Sequence, residues 1–170
     1  KKIYELEPSS PYLEVLLTLA IDILENDTYR YWQNVTEKEW TNNFTRLDHD
    51  QFYNFIKTCA ESGKTKRPYF WYYCAGYISL LRHDFNSMKQ HFQMTKSILP
   101  KGEEDFIERM KILEIYSKVD EVKEINPLVE SKLVNDLKWL LSLKKRHADE
   151  AFKWTMLNLA EKYIAQKDTA

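Results

Sequence analysis

Residues Arg67 to Pro100 read RPYFWYYCAGYISLLRHDFNSMKQHFQMTKSILP, and this stretch decides the fold. Pro68 presets the backbone angle of a first helical position, and the aromatic and apolar run behind it continues to about Arg82. Asp84 is of the residue type that caps a helix N-terminus, and the second helix it opens must stop before Pro100. Two short helices with so tight a link lie antiparallel.

The same punctuation extends in both directions. Ser10-Pro11 is an N-cap followed by a first-turn proline, and Tyr12 to Asn26 carries Leu13, Leu16, Leu17, Ala20, Ile21 and Leu24 as one buried face. Thr36 and Glu39 have capping-box spacing and open a helix through Trp40, Phe44 and Leu47. Asp48 or Asp50 caps the next, Gln51 to Ser62, with Phe52, Phe55, Ile56 and Cys59 inward and Gly63 as its terminator. Beyond Pro100, helices are expected over Glu103–Lys118 (Phe106, Met110, Leu113, Tyr116) and from Pro127 (Leu133, Val134, Leu137, Leu140, Leu141). A last one runs over about Ala148–Gln166, burying Phe152, Met156, Leu159, Ala160 and Tyr163. KKIYELEP at the start reads as a last helical turn with a proline stop.

Composition agrees with helices and narrows the function. Only three glycines occur in 170 residues, too few for a turn-rich β fold or for glycine-rich phosphate loops. Hydrophobic residues at 44% and charged residues at 30% exclude a membrane-embedded chain and a charged disordered one. Lys plus Arg total 25 against 26 for Asp plus Glu, so no net field draws the chain to nucleic acid or an anionic bilayer. The first residues contain no initiator Met, signal core or membrane run, which suggests one domain over residues 1–170 cut from a longer chain.

Arg67 to Pro100 resembles one tetratricopeptide repeat, a helix-turn-helix unit patterned W-x2-L-G-x2-Y, A-x3-F and P. Tyr72 stands at the usual Trp, and Ala75, Gly76, Phe92 and Pro100 follow at family spacing, with Phe85 at the aromatic that opens the second helix. Gly76 there permits close approach of the helices and Phe92 fills the gap. Ser79, Met88 and His83 depart from the usual Tyr, Ala and turn glycine, and a shift of one repeat brings no second match into register. Ala148-Asp149-Glu150-Ala151 resembles the start of a repeat's second helix. RPYFWYYCAGYISLLRHDF together with DLKWLLSLKKRHADEAFKW is also similar to large helical-repeat proteins of the Gram-negative cell envelope. The tetratricopeptide resemblance implies an all-α stack of antiparallel hairpins, about seven helices, wound as a short right-handed superhelix.

In that family the first helix of each unit lines a concave groove. The Gly76 register then places Phe70, Tyr73 and Tyr77 on the groove, and Lys111 and Glu114 continue it if Glu103–Lys118 is the next first helix. Members that bind a peptide's terminal carboxylate use Lys and Asn where this chain has Tyr73 and Tyr77, so the resemblance implies an apolar or amphipathic peptide instead. Tyr69 to Tyr73 are five aromatics in a row, and at about 100° per residue they sweep the whole helix circumference, so packing must claim most of them, Tyr69 and Tyr72 within the hairpin.

The remaining chemistry-bearing residues point to no reaction. His49, His83, His91 and His147 form no metal signature. Asp48-His49-Asp50 has no nucleophile at an identifiable spacing. Cys59 and Cys74 read as buried free thiols. The N-x-T sequons at Asn26, Asn34 and Asn43 fall where Asn and Thr are ordinary at helix ends, and Lys144-Lys145-Arg146-His147 complements a helix C-terminus. The expectation is a non-enzymatic scaffold for a protein or peptide, without cofactor, nucleic-acid partner or membrane insertion. A structural module of a larger envelope protein is the alternative, and a helical enzyme comes third.

Overall fold

The structure, a computed structural model, describes residues 2–32 and 46–168, with side chains for 2–25 and 50–167. The Thr36–Glu39 capping box and the sequons at Asn34 and Asn43 lie outside the described residues. Those residues form eight helices: α1 (Lys2–Leu6), α2 (Pro11–Trp32), α3 (Arg46–Ser62), α4 (Pro68–Leu81), α5 (Phe85–Ile98), α6 (Asp105–Glu121), α7 (Pro127–Ser142) and α8 (Arg146–Asp168). There is no strand among them, so the fold is all-α. The helices divide into two compact units, Lys1–Lys101 and Gly102–Ala170.

Local signals set most boundaries. Pro11, Pro68 and Pro127 each begin a helix, Asp84 accepts from the Ser87 amide at 3.0 Å, and Asn126 accepts from the amides of Leu128 and Val129. One boundary differs from expectation. α3 begins at Arg46, so Asp48 and Asp50 lie inside it rather than capping it. Asp50 instead pairs with Arg82.

The first unit is centred on α4, which packs against α5, α3 and α2. Its core joins Leu13, Leu17, Ile21 and Leu24 of α2 with Ile56, Cys59 and Ala60 of α3 and Trp71, Cys74, Ala75 and Ile78 of α4. Within the α4–α5 hairpin, a Cβ built on Gly76 would lie 2.5 Å from two ring carbons of Phe92. The absence of a side chain there is what seats the ring.

The α4–α5 turn solves the missing turn glycine in its own way. His83 takes φ +55° and donates from its amide to Leu80 O, while Asp84 donates to Ser79 O, the bond pair of a Schellman stop. A left-handed conformation costs a non-glycine residue about 1–2 kcal/mol, offset here by the edge contact of His83 on Phe85 at 6.0 Å. His83→Gly is therefore expected to stabilise the protein by about 0.5 kcal/mol in urea unfolding. A loss of stability would show the ring contact to outweigh the backbone strain.

The second unit holds α6, α7 and α8. One cluster joins Ile112, Ile115, Leu140 and Ala148, another Val119, Ile125, Leu133 and Leu159. Side chains of α8 secure the link between α6 and α7. Lys162 donates to the carbonyls of Asp120 and Val122 at the end of α6, and Gln166 bonds both backbone groups of Ile125. The α7–α8 turn has Lys144 at φ +49°, placing it as His83 is placed in the first hairpin. The cations behind it do not simply complement the end of α7, since Arg146 and His147 already belong to α8. Lys145 binds Glu108 of α6 at 2.7 Å and Arg146 binds Glu150. The Lys145 ammonium holds the Glu108 carboxyl below its usual range.

Candidate functional site

Of the six aromatics on α4, Trp71 is the deepest, 2% exposed, with its ring edge-on to Phe55 and tilted against Tyr4 of α1. Tyr69 is buried as expected, and Tyr72 lies against the His91 ring of α5. Phe70, Tyr73 and Tyr77, the expected groove residues, are half-buried and pack on the first unit's core. Tyr73 stacks on Phe92 with centroids 6.0 Å apart, and the Arg67 guanidinium lies over Phe70. The Tyr77 hydroxyl faces the Glu25 carboxylate of α2. Burial first, and that carboxylate second, raise its pKa far above the ordinary phenol value. All three rings are thus engaged with the chain's own helices on at least one side.

Lys111 and Glu114 belong to the second unit. The Lys111 ammonium stands 3.7 Å from the Trp139 ring centroid, a close cation–π contact between α6 and α7, and Glu114 is half-buried.

Among the described residues, both cysteines are buried and His91 and His147 are hydrogen-bonded. Cys59 and Cys74 are free and buried. Burial pushes the Cys59 thiol up to about 11 and raises Cys74 as well, so both are protonated at neutral pH. His91, 7% exposed, has its Nε2 2.8 Å from the Tyr53 hydroxyl, and His147 faces Glu108. Among the described residues no three His, Cys, Asp or Glu side chains gather in a way that could hold a metal ion. None of the helices searched there is long and apolar enough to cross a membrane.

His91 carries a pH dependence. Burial, and secondarily the charge of Lys57, hold its pKa below the ordinary 6.5 against the opposing pull of Glu61 and Asp84. A folded-state value below the unfolded one means that its contribution is complete above pH 6.5 and is lost as pH falls from there through the folded value. Unfolding free energy is expected to decline as pH falls below 6.5, and His91→Gln to flatten the decline. An equal slope in the variant would place the titration elsewhere.

An open groove lies between α7 and α8. Glu130, Leu133, Val134 and Leu137 form one wall and Met156, Leu159, Ala160 and Tyr163 the other, around a groove of about 350 Å³. Six of these eight residues are apolar, and the two polar tips, the Tyr163 hydroxyl and the Glu130 carboxylate, bond each other at one end. Met156 and Tyr163, expected inside the core, are in fact 41% and 38% exposed. Ala160 is also exposed. Leu159 belongs both to the groove wall and to the core, and Phe152 on the same face packs against the neighbouring core cluster, so the apolar stripe of α8 is wider than the core it covers.

A second apolar face is open on α2. Leu13, Leu17, Ile21 and Leu24 are buried, whereas Tyr12, Val15, Leu16, Leu19 and Ile23 are exposed. Leu16 was expected among the buried set. It follows the same helical spacing but belongs to the outer stripe. Sequence reasoning missed the groove, although a signal for it exists. The two walls repeat one i, i+3, i+4, i+7 pattern on adjacent helices, more apolar surface than one interface consumes.

Comparison of the chain with family models, with curated proteins and with solved structures returns no match.

Proposed function

We propose that this chain is a non-enzymatic, tetratricopeptide-like helical scaffold that binds the apolar face of an amphipathic helical segment from a protein. The observation that carries the reading is the α7–α8 groove, an open channel with apolar walls and its polar tips at one end. Helix-in-groove recognition uses such a channel, with i, i+3, i+4 and i+7 side chains of the ligand as anchors. The engaged histidines and protonated thiols support binding rather than chemistry. The aromatic face of Phe70, Tyr73 and Tyr77 is the weaker candidate, because those rings already spend contact area on α2 and α5. The exposed stripe of α2 favours a second reading, a structural module whose helices support neighbouring domains of a larger envelope protein.

Selection from a displayed library of helical peptides tests the groove. Wild-type protein is expected to enrich peptides with an apolar i, i+3, i+4, i+7 face. Val134→Lys with Met156→Lys, both at exposed positions, is expected to weaken them at least about tenfold, or 1.4 kcal/mol, with unchanged circular dichroism. Failure to enrich any such face, or equal affinity for the variant, would remove the groove as the site.

A further inference from the structure

We propose that α1 is a releasable strap and that the pocket beneath it is a binding site for a phenolic ring, filled by Tyr4 at rest and by a tyrosine side chain of a partner peptide once α1 lifts. The site lies in the first unit and stands apart from the α7–α8 groove. Tyr4 is the one inward residue of α1, because Lys2, Ile3, Glu5 and Leu6 are all exposed. A helix of five residues does not persist alone in water, where isolated helices need about 12–15 residues, so the order of α1 rests on the seating of Tyr4. Elements with so few buried contacts open locally at less cost than the whole domain. Glu7 to Ser10 link α1 to α2, and α2 keeps its own anchors, Leu13, Leu17, Ile21 and Leu24, in the core when α1 lifts.

The pocket is built by residues outside α1. The Tyr4 ring stands edge-on to Phe55 of α3, with centroids 5.6 Å apart, and lies tilted on Trp71 of α4 at 6.5 Å. Its hydroxyl donates to Ser62 Oγ at 2.8 Å and faces the Cys59 thiol. Ser62 is already oriented for that role, since its hydroxyl donates to Cys59 O at 2.8 Å and accepts from the Lys64 amide at 3.1 Å. With its own proton committed to Cys59, Ser62 Oγ offers the ligand a lone pair and selects a donor. Two aromatic walls for a flat ring and an acceptor for the hydroxyl at its end together specify a phenol.

The two thiols report separately on the strap and on the unit. Cys59 is 0% exposed beside the Tyr4 hydroxyl, whereas Cys74, at 2%, has Glu14 and Arg67 as its charged neighbours. Alkylation of the native protein with iodoacetamide, resolved by mass spectrometry of the two cysteine peptides, tests the proposal. In the wild type, Cys59 is expected to react at least about tenfold faster than Cys74, and urea to accelerate Cys74 steeply but Cys59 only slightly, because lifting α1 exposes little surface. Tyr4→Phe, which keeps the ring and loses the bond to Ser62, is expected to speed Cys59 about fivefold. Tyr4→Ala empties the pocket, and Cys59 is then expected to react without urea dependence. Phenol is expected to slow that reaction in a saturable way, and cyclohexanol, which has the hydroxyl without the aromatic ring, to leave it unchanged at the same concentration. Equal rates and equal urea dependence at the two thiols of the wild type would overturn the strap. An unchanged rate in Tyr4→Phe would overturn the Ser62 acceptor, and phenol without effect, or cyclohexanol as protective as phenol, would overturn the phenol site.

Discussion

Replacing Gly76 by alanine is expected to destabilise the protein by about 2 kcal/mol, against the direction that helix propensity predicts. In an open mid-helix position the same change is worth about 1 kcal/mol of stabilisation. Here the new methyl would sit 2.5 Å from Phe92 Cδ1 and Cε1, well inside contact distance. The ring cannot tilt away cheaply, since it is 1% exposed and stacked on Tyr73. The helices must part or the ring must leave its rotamer, and overpacking of that kind costs about 1–3 kcal/mol. Urea unfolding followed by circular dichroism reads the change. Adding Phe92→Leu to Gly76→Ala is expected to cost less than the two single losses summed, by about 1 kcal/mol. Strict additivity would mean that the two positions do not share the space.

The larger loss is expected for Trp71→Ala, about 4 kcal/mol. Trp71 packs where α1, α3 and α4 meet, in ring contact with Tyr4 and Phe55, so truncation opens a cavity bounded by three helices. Small domains have about 5–15 kcal/mol in all, and the first unit is expected to lose its cooperative transition near room temperature. Tyr4 would lose one of its ring contacts too, while its hydroxyl bond to Ser62 remains to hold α1. Trp71→Phe keeps an aromatic in the site and is expected to cost less than half as much. An alanine variant with an unchanged urea midpoint would contradict the packing described for α4.

What was legible in the sequence was local. The starts of α2, α4 and α7 are proline positions and that of α5 has Asp84 as its cap, groups that act within one turn and need no tertiary partner. The close approach at Gly76 was legible for a related reason, because a small residue and a large ring at fixed spacing imply each other. The number of helices and their all-α character follow from such signals. Which apolar stripe is buried was not legible on α2, where Leu13–Leu17–Ile21–Leu24 and Tyr12–Leu16–Leu19–Ile23 both satisfy helical spacing and only neighbouring helices choose between them. The same degeneracy put Met156 and Tyr163 in the core on paper and on the groove wall in the fold. Lys162 and Gln166, which hold the α6–α7 link, lie about 40 positions from their partners along the chain and have no local signature. Asp48 and Asp50 show the converse hazard, because Asp occurs inside helices as well as at their caps.

The central claim is that the α7–α8 groove, not the aromatic face of α4, takes a helical ligand. The four methionines allow one measurement to decide it. With 13C-labelled methionine methyl groups, Met156 reports from the groove wall and Met94 from the exposed face of α5, while Met88 and Met110 report from the two buried interiors. Titration with a selected amphipathic helical peptide is expected to shift the Met156 methyl resonance in a saturable way and leave the other three in place. A saturable shift at Met88, beside Phe92 on α5, with Met156 unmoved would contradict the account and return the site to Phe70, Tyr73 and Tyr77.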